Sequence, residues 1–417
     1  MFNQAHTLDS LCEFINGGAW TEEEYVEEGL PVLKVSNFKD NQYSLDEVSF
    51  LSHESAKKYA KHQLSKNDLI IATVGSHPNL VNSAAGRTIR VNDDAIGYYL
   101  NQNAVYLKTK NSNILNQVYL AYLGQTEEFK NYIQVRGKGA ASQMRIAIGD
   151  IKSFPVKLIP IEAQEKIASI LLSYDDLIEN NLKRIKLLEE MAQITYEEWF
   201  VRMKFPGHET TVFDEDTGLP EGWEIDKLGS LLAKVPKSRK LKADEYQNQG
   251  KYPVIDQSRS FIAGYTEDEE AVLELEKPAI VFGDHTRIVK FINFKFARGA
   301  DGTQILLSNN NRVPQHLLYQ LVQSIDLSDY HYARHYKYLK DTDVMIPTES
   351  VANKYELKAK NYFDQILLLR NQIDLLKEAR DILLPRLMTG MIDIEQMELP
   401  EAMLKRLEEQ EDKMATA

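Results

Sequence analysis

The chain has 417 residues, 43% hydrophobic and 27% charged, which is ordinary for a soluble globular protein and leaves room for two or three domains. No apolar run approaches the roughly 18 residues that span a bilayer, residues 1–11 are too polar for a secretory leader, and the single cysteine, Cys12, excludes an intrachain disulfide framework and a cysteine metal site; the setting expected is reducing and cytoplasmic. A net charge of −13 argues against simple autonomous nucleic-acid binding, yet the basic residues cluster, at 234–242, 285–298 and 331–340, so net charge alone does not decide the partner.

In chain order, a first globular unit is expected over 1–160. Residues 30–37 alternate like a strand, 51–61 have helical composition, and 67–75 read as a short buried strand ended by a turn. Residues 84–91 and 104–108 are further strands, 115–132 a helix, 136–142 a Gly- and Ala-rich loop, and 151–160 a strand closing at Ile159-Pro160. Pro160 disfavours helix for the residue before it, so a long helix begins after it. That helix, 161–203, has no Pro or Gly and carries a 3.5-residue seam: Ile167, Leu171, Tyr174, Ile178, Asn181, Ile185, Leu188, Ala192, Thr195 and Trp199. Asn181 either sits on the seam, fixing register, or faces solvent.

A turn-rich linker, Pro206-Gly207 and Gly218 to Trp223, opens a second unit over 204–348. Tyr252-Pro253-Val254-Ile255 answers Leu30-Pro31-Val32-Leu33, Ala279-Ile280-Val281 answers Leu69-Ile70-Ile71, and 313–324 answers the helix at 115–132. A second long helix, 349–391, repeats the seam with Tyr355, Ala359, Tyr362, Ile366, Leu369, Ile373 and Leu376. Arg184-Ile185-Lys186-Leu187-Leu188-Glu189-Glu190 aligns with Gln372-Ile373-Asp374-Leu375-Leu376-Lys377-Glu378, a shift of 188 positions. Pro385 is expected to end or kink this helix near Leu384. The tail, 392–417, is acidic; 399–414 reads as an amphipathic helix or a frayed end. The expected fold is therefore α+β: two globular units in pseudo-repeat, separated by two long antiparallel, coiled-coil-like helices. A helix of about 40 residues is about 60 Å long, enough to act as a spacer.

No catalytic constellation stands out. A phosphate loop, a Gly-x-Ser-x-Gly elbow, a His-Glu-x-x-His helix and an Asn-Pro-Pro-aromatic tetrapeptide are all missing from the sequence. Asp284-His285 is one acid–base pair without a nucleophile and reads better as a strand-end turn. The loops do hold the residue types that read base edges and neutralise phosphates. In the first unit these are Ser76, His77, Asn79, Arg87, Arg90, Arg136, Lys138, Ser142, Gln143 and Arg145. In the second they are His285, Thr286, Arg287, Lys290, Lys295 and Arg298. The run His331, Tyr332, Arg334, His335, Tyr336, Lys337, Tyr338 and Lys340 adds aromatics interleaved with cations. No metal site is expected.

Ile151-Lys152-Ser153-Phe154-Pro155-Val156 runs through Pro160 into Glu162-Ala163-Gln164-Glu165-Lys166-Ile167. Leu384-Pro385-Arg386-Leu387-Met388-Thr389-Gly390 ends the second helix, and Gly222-Trp223 enters the second unit. This ordered set resembles the specificity (S) subunit of type I restriction-modification systems across nearly the whole chain. Val351-Ala352-Asn353-Lys354-Tyr355 departs from the pattern in the second copy. The resemblance implies two target recognition domains, each reading half of a split double-stranded DNA site. It implies helices that set the gap and dock methyltransferase (M) subunits, two in number, with an endonuclease (R) subunit joining. The chain itself would be non-catalytic. S-adenosylmethionine would belong to the M partner, and ATP and Mg to the R partner. A coiled-coil scaffold that does not read DNA is the alternative.

Overall fold

Two helices carry the seam. The first runs Ile161–Tyr196 and continues through one wider turn, Glu197–Val201; the second runs Glu349–Met388. The computed structural model describes residues 6–39, 42–45, 48–75, 84–140, 143–299, 302–330, 334–401 and 403. Pro385 does not end the second helix, which passes through it. The neighbouring Leu384 and Leu387 are buried in the core of the first unit. Burying two leucines is worth about 1.5–3 kcal/mol each, which outweighs the roughly 3 kcal/mol that an interior proline costs. The helix stops instead at Gly390, whose φ of +75° suits a C-terminal cap and whose N–H donates to the Leu387 carbonyl at 3.2 Å.

The chain folds as two compact units, 1–179 with 374–417, and 180–373. The cuts fall inside both long helices, so each unit owns part of each.

In the first unit a four-stranded antiparallel sheet runs in the order Thr88–Arg90, Leu69–Ala72, Ala104–Thr109, Cys12–Asn16. One face packs on the long helices and on two short ones, Gln117–Leu123 and Glu127–Gln134. The single helix expected over 115–132 is broken there, because Thr126 caps a fresh start by accepting from the Phe129 N–H. The strand expected over 151–160 begins instead as the end of helix Ile148–Lys152, which buries Ile151; only Pro155–Val156 is extended, pairing with His6–Thr7. Helix His53–Lys58 is shorter than expected, with Ser52 as its cap. The other face of the sheet covers Leu33, Phe38, Ile70 and Ile89. Beyond the second helix, Ile394 and Leu399 are buried in the same core as the helices, so the acidic tail begins as part of the fold. Most of the helix considered for 399–414 lies outside the described residues.

In the second unit the matching sheet has the order Val289–Ile292, Ala279–Gly283, Thr303–Leu306. Its fourth strand is reduced to one bridge, Leu232 to Ser308. The repeat is visible in a shared clamp. Gln117 and Gln315 each open a helix, accept from the N–H of Thr109 or Ser308, and donate to the carbonyl of Leu107 or Leu306. Pairing register corrects the sequence correspondence by one residue. Leu69, opposite Arg90, lies on the helix-facing side, and its counterpart there is Ile280, opposite Phe291, not Ala279.

That correction exposes two different fasteners at one junction. In the first unit Asp175 of the first long helix accepts from Arg90 at 3.0 Å, Tyr122 at 2.7 Å and Arg380 of the second helix at 2.7 Å. Burial pushes the Asp175 carboxyl up, but Arg90 and Arg380 outweigh it and hold it below the usual carboxylate range. In the second unit the equivalent positions hold Phe291, Phe363 and Gln320. The Phe291 and Phe363 rings meet at 4.5 Å, within a cluster that includes His316 and Tyr319.

Along the seam Ile178, Ile185, Ile366, Leu369 and Ile373 are buried, and Leu188 and Leu376 are half-buried. Asn181 is buried too, its amide donating to Gln372 at 3.4 Å. Among the described residues no helix is long and apolar enough to cross a membrane.

Candidate nucleic-acid interface

In the first unit the candidates gather on a small sheet ordered Lys138–Ala140, Gln143–Arg145, Val74–Gly75. Lys138 lies directly opposite Arg145, and both are exposed. Like charges in facing positions destabilise a strand pair, so folding gains nothing from this placement, whereas an anion does. Met144, next to Arg145 and opposite Gly139, is buried and anchors the strand. Arg136 is held rather than free: its guanidinium stacks on the Tyr132 ring at 3.5 Å and donates to the Tyr132 carbonyl at 2.9 Å. Gln143 is described only as a strand position opposite Ala140. Ser76, His77, Asn79 and Ser142 lie outside the described residues.

Two arginines from the same sequence reading turn inward. Arg87 donates to the Phe38 carbonyl at 2.5 Å, and Arg90 is buried in the Asp175 cluster. Both sit on or beside a strand whose alternation points these side chains at the core, where the carbonyl and the carboxylate satisfy them.

In the second unit the candidates do converge. Strand Ala279–Gly283 ends in a turn at Asp284 to Thr286. The buried Asp284 ties down helix His335–Asp341: its carboxylate accepts from the Tyr336 N–H at 2.8 Å, and its carbonyl accepts from the His335 N–H at 2.9 Å. The His335 ring is wedged between the carbonyls of Asp284, 2.8 Å from Nδ1, and Tyr330, 2.9 Å from Nε2. Tyr330 in turn stacks on Tyr338, with centroids 3.9 Å apart. Arg287 donates to the Leu327 carbonyl at 3.2 Å. These bonds bring His285, Thr286, Arg287, Arg334, Lys337 and Tyr338 onto one patch; all are exposed except Tyr338, which is half-buried. His331 and Tyr332 lie outside the described residues.

Asp284 therefore serves as a hub for the turn and the helix and does not pair with His285. Arg287 has a φ of +61°, a strained conformation for a bulky residue. Arg298 is half-buried and donates to the Thr303 carbonyl at 2.7 Å, next to the turn rather than on it. Lys290 is buried, its amine on the carbonyls of Asp256 and Ser260; burial lowers it to about 8 although Asp256 pulls the other way. Lys295 is exposed beside Glu274 at 3.5 Å, and Lys340 lies over the Tyr336 ring.

Sequence reasoning missed Gln257. Its side-chain oxygen accepts from the His285 N–H at 3.1 Å, and its carbonyl accepts from the Thr286 hydroxyl at 2.7 Å. A Cβ at Gly302, where φ is +87°, would meet the Gln257 amide at 2.5 Å. Glycine there lets the two chain segments close on each other. The legible signal was a glutamine two residues past a strand; its partners, 28 residues and more away, were not. Among the described residues no group of three or more His, Cys, Asp or Glu side chains is placed to hold a metal.

Residues 3–190 match the family described as type I restriction modification DNA specificity domain. The chain is 25% identical over 304 residues to the type I restriction enzyme MjaIX specificity subunit of Methanocaldococcus jannaschii, covering 67% of this chain and 70% of that one. It is 23% identical over 227 residues to the putative MjaX specificity subunit of the same organism, covering 54% and 52%. The fold is like that of the S subunit of the M. genitalium type I restriction-modification system, with a TM-score of 0.52 at 16% identity over 92% of this chain and 95% of the other. The chain is thus similar in sequence to type I restriction enzyme specificity subunits, and its fold is similar to that of an S subunit.

Proposed function

We propose that this chain, a type I restriction-modification specificity subunit, reads a bipartite double-stranded DNA site, one half with each globular domain. The domains are taken as 1–160 and 204–348, the helices as 161–203 and 349–391, and the tail as 392–417. The observation that carries the reading is the doubled unit in which each copy offers cations to an anion: Lys138 facing Arg145 in one, and the patch with Arg287, Arg334 and Lys337 in the other. Base readout falls to loop side chains fixed by the fold, and phosphate contacts to the cations.

The helix pair sets the gap between half-sites and docks M subunits, two per complex. In support, apolar side chains stand exposed on the helices: Leu187, Met191 and Ile194 on the first, and Leu368, Leu375 and Ile382 at seven-residue spacing on the second. An R subunit completes the complex. The chain contributes no chemistry; S-adenosylmethionine acts in the M partner, and ATP with Mg in the R partner. A scaffold that does not read DNA would use the same apolar stripes but has no use for two like charges placed face to face.

The test is modified-base sequencing of DNA from cells that express this chain with its neighbouring methyltransferase subunit. N6-methyladenine at one split motif, lost when the chain is omitted, is the expected result. Methylation that ignores the chain would overturn the proposal, and a confirmed complex without methylation would favour the scaffold.

A further inference from the structure

The second unit contains a cavity of about 430 Å³ that the DNA-reading patch does not use. It is bounded by one face of each long helix, by strand Val289–Ile292 and by helix Gln315–Ser324. Its volume falls in the range of small-molecule sites. Phe261, Phe291, Tyr319 and Phe363 give it flat aromatic walls, and the Arg370 guanidinium stacks on Phe261 at 3.8 Å. The charged groups around it are largely paired, Arg370 with Glu189 at 3.1 Å, Lys186 with Glu190 at 4.0 Å, and Lys290 with the carbonyls of Asp256 and Ser260.

Gln320 is the informative residue. It is only 3% exposed and lines this cavity, and among the described residues its carboxamide has no hydrogen-bond partner. The first unit shows how the same place is closed when nothing is to enter. Counting five residues on from the clamping glutamines, Gln320 corresponds to Tyr122, whose hydroxyl is bound by Asp175; Arg90 and Arg380 fill the rest. In the second copy the Asp175 position is Phe363 and the Arg380 position is Ala192. The repeat has removed the partners of position 320 and put aromatic surface in their place. Asn293, half-buried and also without a partner among the described residues, offers a second amide to the cavity.

We infer that this cavity binds a purine nucleotide. A side-chain amide pairs in two-point fashion with the edge of a purine ring such as adenine, and aromatic side chains and guanidinium planes stack on its faces. The same ring could come from a free nucleotide or from a base swung out of DNA.

The experiment titrates the full-length chain with adenosine 5′-monophosphate and follows binding by calorimetry. Saturable binding below about 1 mM is expected, weakened about tenfold or more by Gln320→Leu and also weakened by Asn293→Leu, with circular dichroism confirming that both variants fold. In a second arm a duplex carrying 2-aminopurine opposite an abasic site is added. If the free nucleotide fails to bind but 2-aminopurine fluorescence rises with the native chain and not with Gln320→Leu, the ring comes from DNA. No response in either arm, or equal responses from native and variant chains, overturns the inference. The nucleotide arm needs neither methylation nor sequence recognition, so its outcome is separable from that of the DNA-specificity proposal.

Discussion

Replacing Asp175 with alanine should unfasten the first unit. The carboxylate accepts three bonds, from Arg90, Tyr122 and Arg380, and the two guanidiniums retain side-chain exposures of only 7% and 11%. Without it the buried Arg90 guanidinium keeps only the neutral Asn67 side chain as a hydrogen-bond partner, and Arg380 keeps only the exposed Asp381. Breaking a buried pair in this way costs about 3–5 kcal/mol, mostly the penalty of the stranded charge. With a urea slope of about 1–3 kcal/mol per molar, the unfolding midpoint of the first unit should fall by about 1 M or more. Hydrogen exchange read by mass spectrometry follows strand Ala104–Thr109 separately from the second unit, which should be unaffected. The triple change Arg90→Met, Asp175→Leu, Arg380→Met should recover most of the loss, because it removes the charges together. The pH dependence has a fixed sign. The folded carboxyl titrates below its usual value, so its contribution is complete above about pH 4 and is lost as pH falls further. Asp175→Asn should therefore differ from the native chain at neutral pH and converge with it in acid. A midpoint for Asp175→Ala within about 0.3 M of the native chain, less than a third of the smallest expected shift, would refute the argument.

Lys290 gives the opposite slope: its amine sits at about 8 against 10.5 when free, so the unfolded chain holds more protons between those values and stability should rise with pH there. Lys290→Met should flatten the rise, and parallel urea midpoints across pH 7 to 10 would contradict it. Arg145→Glu should stabilise the small sheet by about 0.2–1 kcal/mol by replacing a like-charged pair with an opposite one. It should also weaken DNA binding and make its salt dependence shallower by about one unit of slope; an unchanged slope would remove Arg145 from the interface. Gln257→Ala removes the acceptor from the His285 N–H and should relax one half of the methylated motif while leaving the other half and the gap intact; relaxation in both halves would count against a local role.

The repeat and its long helices were legible because both are written in spacing: a seam every 3.5 residues and a copy 188 positions on. The fold class followed from them. Local boundaries were less legible. Ile151 lies in an apolar run that strand and helix fit equally, and only packing chose helix Ile148–Lys152. Pro385 looked like a stop because the benefit of burying Leu384 and Leu387 depends on a core assembled from distant segments. Of the candidate site, cation-rich loops were readable as composition. Which cations are spoken for was not, since Arg87, Arg90 and Lys290 are claimed by a carbonyl, a carboxylate and two carbonyls far away in sequence. The Gln257 support was unreadable for the same reason.

The two fasteners also make the two globular units non-interchangeable within one chain. A domain lifted from the first position would bring Arg90 and Tyr122 to a helix pair that presents Phe363 and Ala192, and its arginine would be buried against a ring with no anion to meet. A domain moved the other way would set Phe291 against the Asp175–Arg380 pair and leave that carboxylate without the Arg90 and Tyr122 donors it accepts from. Grafts of first position to first and second to second keep each fastener whole, while exchange between positions requires the helix residues to travel with the graft. The junction works as a positional key that fixes which globular unit comes first in the chain.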